Sequence, residues 1–193
     1  MKKFLNDLIG ITGYKLKNKK YLYEPVRNLI KSINHFKVNS IIDVGANKGQ
    51  FALKLFENKF RGNVLSFEPL EEEHRILNYL SLNIKNWKIA KRCAIGKINS
   101  KKEFNISGNR ESSSLLKILP KHTLLRPDSK TKNIKIVKVE KLDNFCNEIS
   151  KLKKNLLLKI DTQGSEFDVL LGAEKVIKDM KCLFIEVSLT PLY

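Results

Sequence analysis

The fold of this chain is decided by the stretch Ile41-Ile42-Asp43-Val44-Gly45-Ala46-Asn47-Lys48-Gly49. A short apolar strand, residues 41–44, runs into a glycine-containing turn, and a helix with one apolar face follows. From residue 40 onwards apolar runs alternate with amphipathic stretches, which is typical of βαβ units around a parallel sheet. The sequence therefore predicts an α/β fold in which a doubly wound, mostly parallel sheet carries helices on both faces.

Four more core strands are predicted in the same way. They lie at residues 64–67, 87–95, 156–160 and 183–187. The helix between the last two is expected to present one apolar face made of Val169, Ala173, Val176, Ile177 and Met180. Each strand in this scheme is short and apolar, as expected for a sheet buried on both sides.

The chain divides into a helical lead-in, residues 1–39, and one ligand-binding domain, residues 40–193. Apolar stripes at helical spacing predict two helices in the lead-in. Within the domain, residues 97–142 break the rhythm with a predicted strand pair, at 104–106 and 134–139, around a segment rich in Ser, Pro and Lys. An excursion of this kind at the carboxyl edge of a sheet is expected to face the substrate.

The composition is strongly basic, with a formal net charge of +17. Such a charge raises encounter rates with polyanions and suggests nucleic acid as a partner. However, 31 of the 37 basic residues are lysines spread along the whole length, whereas dedicated phosphate readers favour arginine, whose planar fork grips phosphate with two bonds. The sequence therefore favours a general compositional bias, and nucleic acid is not the expected partner.

The cysteines and the hydropathy pattern bear on compartment. Cys93, Cys146 and Cys182 are far apart and lack Cys-x-x-Cys spacing, which predicts neither a disulfide framework nor a zinc site. No run approaches the ~18 consecutive apolar residues of a membrane span, and polar residues and glycines interrupt the apolar start of the chain. We therefore expect a cytoplasmic protein with no membrane span, and we assign no metal ligands, while a cation shared by Asp161 and Glu166 stays open as an alternative.

Three polar features follow predicted core strands: the turn at residues 43–49, Glu68 and Asp161. Doubly wound sheets bind ligands in the crevice outside their central strands, so these features are expected to share one site. The turn resembles the G-x-G-x-x-G fingerprint, but Asn47 replaces its middle glycine and Asp43 disfavours a pyrophosphate. S-adenosylmethionine instead carries an ammonium, a sulfonium and no phosphate. Glu68, about 25 residues beyond Asp43, is placed to accept hydrogen bonds from its ribose hydroxyls.

Three motifs carry a family resemblance: Ile41-Ile42-Asp43-Val44-Gly45-Ala46-Asn47, Ser66-Phe67-Glu68-Pro69, and Leu158-Lys159-Ile160-Asp161-Thr162-Gln163-Gly164-Ser165-Glu166, continued by Leu170-Leu171-Gly172-Ala173. From roughly residue 40 to residue 193 the chain resembles the FkbM-type methyltransferases, which are class I, Rossmann-like enzymes that use S-adenosylmethionine. The third motif is the specific one. The resemblance implies an S-adenosylmethionine-binding methyltransferase domain over residues 40–193, with hydroxyls of sugars in surface glycans or of secondary metabolites as acceptors.

The strand-end pattern and the resemblance together give the expected cofactor-binding residues, which are Asp43, Gly45, Asn47, Gly49, Glu68, Ala94 and Asp161. Ala94 is included because Cys93-Ala94-Ile95-Gly96 matches the strand-three exit of the family, where backbone atoms meet the adenine. Ser113-Ser114-Leu115 matches the Ser-rich loop of the family.

The chain departs from the family pattern in two ways. Gln163 stands where the family usually has Glu. The family also usually continues with two more strands after the strand that ends near Glu186. We therefore expect a C-terminally short sheet with an open edge at residues 183–187, which favours pairing with a second copy.

Two carboxylates are candidates for removing the proton of an alcohol acceptor. They are Asp161, which ends a strand facing the crevice, and Glu166, which opens the next helix. A positioned carboxylate contributes typically ~100- to 10,000-fold to such a reaction. Asp161 would equally orient the methionine end of the cofactor, and Glu166 would equally be an acid in the first turn of a helix. Lys159 is expected to pair with one of them, and His122 in the excursion is a further candidate to reach the acceptor.

Three hypotheses for function follow. The first is an O-methyltransferase for a small-molecule or glycan acceptor, and the second is an RNA methyltransferase that uses the net positive charge. The third is a non-catalytic cofactor-binding fragment, suggested by the missing final strands. The sequence contains no G-x-S-x-G elbow and no Walker-type loop, which argues against hydrolases and nucleotide triphosphatases.

Overall fold

The computed structural model describes residues 25–193, and the first predicted lead-in helix lies outside them. The helices and strands follow one another as α1 (Pro25–His35), β1 (Ser40–Val44), α2 (Gln50–Glu57), β2 (Asn63–Phe67), α3 (Glu71–Ser81), β3 (Trp87–Ile89), β4 (Ala94–Ile95), β5 (Ser100–Ser107), α4 (Pro120–Leu125), β6 (Thr131–Glu140), α5 (Cys146–Ile149), β7 (Leu156–Ile160), α6 (Glu166–Leu171) and β8 (Met180–Ile185). Short 3₁₀ turns lie at Pro127–Ser129, Leu142–Phe145 and Val176–Asp179. The second predicted lead-in helix is confirmed as α1.

The main sheet has five parallel strands in the spatial order β3-β2-β1-β7-β8. The central strand β1 pairs with β2 on one side and with β7 on the other. The chain therefore builds outward through β2 and β3, then returns across β1 to build β7 and β8. This confirms the predicted doubly wound, Rossmann-like sheet. It also puts the reversal of strand order between β1 and β7, where such sheets hold their ligands.

Both faces of this sheet are covered, because its central strands are apolar on both sides. Every residue of β1 and β7 is buried. On one face, Ile41 packs in a cluster with residues of α1, α2 and α3. On the other face, Ile42 packs in a cluster with residues of α5 and α6, Ile149 and Val169 among them. Burial on two sides explains why these strands read as continuous apolar runs rather than alternating ones.

The excursion contributes β5 and β6 to a second, smaller sheet, and β4, which precedes it, is the third strand in the order β4-β6-β5. β5 and β6 are antiparallel, which confirms the predicted strand pair. This sheet has its own apolar cluster, which contains Leu70, Ala94, Phe104, Ile106, Val137 and Val139. Leu70 lies in the short connection between β2 and α3. The cluster therefore packs the excursion against the carboxyl end of β2 in the main sheet.

The single strand predicted at residues 87–95 is wrong. β3 ends at Ile89, and the backbone N–H of Ala90 donates to the carbonyl of Ser66 at 3.0 Å. Lys91 and Arg92 are exposed and take the chain out of the sheet. Ala94 and Ile95 then pair with the end of β6 as part of the second sheet. The apolar run at 87–95 correctly indicated that both β3 and β4 contain buried residues, but it could not show that the two strands pair in different sheets.

The single helix predicted over residues 169–180 is also wrong. α6 ends at Leu171, a 3₁₀ turn occupies Val176–Asp179, and Met180 already belongs to β8. The carboxylate of Asp143 accepts hydrogen bonds from the backbone N–H groups of Lys175 and Val176 at 3.0 Å, which fixes a new turn there. Apolar spacing therefore matched a helix although two short turns bury the same side chains.

Candidate functional site

A cavity of about 540 Å³ lies outside the carboxyl ends of β1, β2 and β7, beneath the excursion. Its volume falls within the ~300 to 1,000 Å³ usual for small-molecule sites. One wall comes from the main sheet: the turn that follows β1 (the β1 turn, residues 45–49), the residues at the end of β2 and the segment after β7. The excursion contributes the opposite wall. Lining residues from these parts include Gly45, Ala46, Asn47, Glu68, Asp161, Arg110, Ser112, Ser113, His122 and Arg126.

The predicted cofactor-binding residues divide into two groups in the structure. Gly45, Asn47, Glu68, Ala94 and Asp161 line the cavity. Asp43 and Gly49 do not line it; both lie in the structure that supports it. Residues that follow different strands, and are far apart in the sequence, therefore line one cavity, as predicted from their positions at strand ends.

Asp43 lies in a buried ion network beneath the cavity floor. Its carboxylate is 2.9 Å from Nζ of Lys159, and both side chains are almost fully enclosed. Nζ of Lys159 also lies 3.6 Å from Asp161 and donates to the carbonyl of Gly45 at 3.0 Å. Burial opposes the charge of Lys159, but Asp43 and Asp161 outweigh it and raise the pKa of the ammonium above its usual value. The predicted pairing of Lys159 with Asp161 is present at 3.6 Å, but the closer partner of Lys159 is Asp43, which was not predicted.

Gly49 is required by the packing of the side chains around it. It has φ of +85°, a conformation that side chains rarely adopt. A Cβ at this position would come within 2.6 Å of the Trp87 ring and 3.0 Å of Leu77. The glycine therefore lets the start of α2 pack against β3 and α3.

Glu68 presents a buried carboxylate at the end of β2. Its two oxygens accept hydrogen bonds from the backbone N–H groups of Asn47 and Leu70, each at 2.9 Å. Burial raises the pKa of Glu68 to about 7; these two hydrogen bonds oppose the rise, and the nearby carboxylates of Glu73 and Asp43 add to it. Each oxygen keeps a further lone pair for a ligand hydroxyl.

Asp161 belongs to a chain of polar contacts that runs through Gln163 to Tyr193. Its carboxylate accepts a hydrogen bond from Nε2 of Gln163 at 2.6 Å, and Oε1 of Gln163 accepts one from the hydroxyl of Tyr193 at 2.7 Å. Gln163 adopts φ of 57°, and its carbonyl accepts a bond from Ser114 of the excursion. The neutral amide of Gln163 both donates to Asp161 and accepts from Tyr193, which a carboxylate at this position could not do.

Glu166 points into its own turn. Its Oε1 accepts hydrogen bonds from the backbone N–H and the hydroxyl of Thr162, at 3.0 and 3.2 Å. Both of its oxygens lie 3.0 Å from the backbone nitrogen of Gly164. Glu166 is not among the residues that line the cavity. The structure thus shows its carboxylate holding the turn between β7 and α6.

Two further residues line the cavity: His122, which the sequence offered as a candidate, and Glu186, which it did not. His122 is buried, lines the cavity and packs its ring edge-on against Tyr193 at 5.1 Å between centroids. Glu186, which directly follows β8, also lines the cavity, and Asp161 together with burial raises its pKa. The sequence signal for Glu186 was its position after a core strand, the same signal that identified Glu68 and Asp161.

Residues 25–193 contain neither a candidate metal cluster nor a helix that could span a membrane. No cluster of three or more His, Cys, Asp or Glu side chains suited to a metal ion occurs in that part of the chain. None of its helices combines the length and the apolar character needed to cross a membrane.

Comparison with known proteins gives two matches in sequence. The family model described as "Methyltransferase FkbM domain" matches residues 43–193. A curated relative from Beauveria bassiana, named methyltransferase 1, is 25% identical over 145 residues, which cover 69% of this chain and 58% of the relative. The chain therefore spans little more than half the length of that relative. No solved structure matches the chain.

Proposed function

Because this chain belongs to the FkbM methyltransferase domain family, we propose that it transfers a methyl group from S-adenosylmethionine to a hydroxyl of a small molecule or glycan. The family gives methyl transfer as the reaction class. The observation that carries the choice of donor is the cavity at the β1/β7 reversal, lined by the Gly45–Asn47 turn, Glu68 and Asp161.

The donor set suits a cationic ligand that carries a ribose. Glu68 and Asp161 offer carboxylates toward the cavity, and the β1 turn rests on the buried Asp43. A sulfonium and an ammonium are favoured near such groups, whereas a pyrophosphate would be repelled. Glu68 would accept hydrogen bonds from the ribose hydroxyls, Asp161 would orient the methionine end, and backbone atoms at Ala94 would meet the adenine.

S-adenosylmethionine supplies an electrophilic methyl group when it is bound. The residues of this chain would align the acceptor oxygen with that carbon and exclude water, and alignment alone supplies up to ~7 to 11 kcal/mol of a barrier of this kind. Asp161 is the proposed group for the acceptor proton because it lines the cavity. Glu166, the second proposed carboxylate, would act by fixing the turn that carries Asp161 and Gln163.

A polar acceptor is supported by the lining of the acceptor side. Ser112, Ser113, Gln163 and Ser188 offer hydroxyl and amide groups there, which suits the many hydroxyls of a sugar. Release of S-adenosylhomocysteine with a panel of sugars tests this proposal. Release with RNA alone, with an affinity that falls steeply with salt, would instead indicate an RNA methyltransferase.

The decisive experiment for the donor is calorimetric titration of S-adenosylmethionine and S-adenosylhomocysteine. We expect both to bind the wild type and neither to bind Glu68→Ala, because the variant loses the carboxylate at the cavity. Glu57→Ala, at the exposed end of α2, is the matched control and should bind normally. A wild-type chain that binds neither ligand would refute the proposed donor.

Two further proposals concern the setting of the protein. A cytoplasmic location is supported by Cys93, Cys146 and Cys182, which are all free. Pairing of two copies is supported by β8, which forms an edge of the main sheet in the described part of the chain.

A further inference from the structure

The excursion contributes a wall to the proposed cofactor site, in addition to its expected role toward the substrate. We call residues 107–115 the wall turn. Five of its members, Arg110 to Ser113 and Leu115, line the cavity. The turn is braced internally, since Ser113 Oγ donates to the carbonyl of Arg110 at 2.8 Å and the N–H of Ser112 donates to Asn109 Oδ1 at 3.0 Å. It is therefore a compact hydrogen-bonded unit.

Arg110 fastens the wall turn to α3 across the crevice. Its Nε and Nη2 donate to the two oxygens of Glu73, both at 2.6 Å, and Nη2 also donates to Glu72 at 3.2 Å. Glu73 has no exposed surface. Hydrogen bonding to Glu73 raises the pKa of the Arg110 guanidinium. Two-bond pairs of this kind fix geometry as well as charge.

The backbone of Arg110 contacts Asn47 in the turn that follows β1. Asn47 Nδ2 donates to the carbonyl of Arg110 at 3.3 Å, across 63 positions of sequence. The backbone N–H of Asn47 donates to Oε2 of Glu68 at 2.9 Å. Both Asn47 and Arg110 hold positive φ, 49° and 66°, a conformation that persists only where surrounding contacts impose it. A continuous chain of contacts therefore runs from Glu73 through Arg110 and Asn47 to Glu68.

We propose that Arg110 is a positioning residue for the methyl donor: its two-bond anchor on Glu73 fixes the wall turn against Asn47 and so sets the shape of the cofactor pocket. The inference rests on the proposed function, since the ligand concerned is S-adenosylmethionine. Donor affinity then depends on the excursion, so the part of the chain that faces the acceptor also shapes the donor site.

The test uses the paired variant Arg110→Met/Glu73→Met, which removes both charges together and leaves none buried without a partner. The control pair is Arg92→Met/Glu71→Met, which removes an exposed ion pair of 3.4 Å at the start of the same helix. S-adenosylhomocysteine is titrated into both pairs and into the wild type. We expect about tenfold weaker binding for the Arg110 pair, a typical effect of a coupling residue, and wild-type binding for the control pair.

A second readout separates positioning from general loss of stability. Amide hydrogen exchange in residues 107–115 of the ligand-free protein should become faster in the Arg110 pair and stay unchanged in the control. Arg110→Lys, which keeps the charge but not the fork, should also bind more weakly, and it serves if the paired variant does not fold.

The outcomes separate this inference from the proposed function. Wild-type affinity in the Arg110 pair, or in Arg110→Lys if the pair does not fold, overturns the inference and leaves the proposed donor in place. Equal weakening in both pairs also overturns it, since the effect would then be one of charge alone. A wild-type protein that does not bind S-adenosylhomocysteine overturns the inference and the proposed donor together.

Discussion

Replacement of Lys159 by Met tests the ion network beneath the cavity. The side chain of Lys159 is 5% exposed and that of Asp43 is 0% exposed, with 2.9 Å between Nζ and the carboxylate. Met keeps most of the length of the side chain but removes the charge and the hydrogen bond to the carbonyl of Gly45. The carboxylate of Asp43 then retains only the hydroxyl of Ser66, at 3.3 Å. The variant thus leaves a buried charge without its counter-ion.

The expected cost is about 3 to 5 kcal/mol, the usual penalty for removing one partner of a buried pair. For a chain of this size it corresponds to a fall in Tm of about 6 to 20 °C. Because the pKa of Lys159 is raised above 10.5, the stabilisation by its ammonium is fully present below that pH and is lost only as the pH rises through the folded-state value. At neutral pH the whole deficit should therefore be visible.

Urea unfolding of Lys159→Met, Asp43→Asn and the double variant gives the pair energy as a double-mutant cycle. The double variant should recover most of the loss, because Asn leaves no unpaired charge. A Lys159→Met variant whose free energy of unfolding lies within about 0.5 kcal/mol of the wild type, where ordinary surface changes fall, would contradict this account.

Three other predictions follow from the site. Because the pKa of Glu68 is raised to about 7, S-adenosylhomocysteine should bind more tightly as the pH rises from about 6 to 8 and the carboxyl group ionises. The stability of the free protein should fall as the pH rises from 4.5, the ordinary pKa of Glu68, to about 7. Calorimetry against pH checks the first effect and thermal melts against pH check the second, and Glu68→Gln should show neither. Gly49→Ala should lower the free energy of unfolding by about 1 to 3 kcal/mol, because of backbone strain and overlap with Trp87. Gly96→Ala, at a glycine with ordinary φ, is the control, and a smaller loss in Gly49→Ala than in this control would contradict the prediction. Glu166→Ala should lower stability by about 1 to 3 kcal/mol, since it frees the N–H groups of Thr162 and Gly164, and urea unfolding would show it; an unchanged midpoint would count against the anchoring role.

Much of the site was predictable because strand ends can be read locally. Glu68 and Asp161 each follow a short apolar run, and parallel strands place their carboxyl ends at one edge. The same reasoning missed Glu186, although it follows β8 in the same manner, because the strand was predicted to extend past it to residue 187. Its prediction required a strand boundary, and periodicity locates boundaries only to within a few residues.

Sequence alone was enough to predict the α/β class, the parallel sheet, the strand pair of the excursion and two strand-end carboxylates, Glu68 and Asp161, since periodic burial is a local property of the chain. Which groups meet depended on the tertiary structure. It split the run at 87–95 between two sheets, buried Asp43 against Lys159, and joined Arg110 to Glu73 and Asn47. These contacts join residues 23 to 116 positions apart, and a local pattern shows that a residue is buried but not which distant residue buries it.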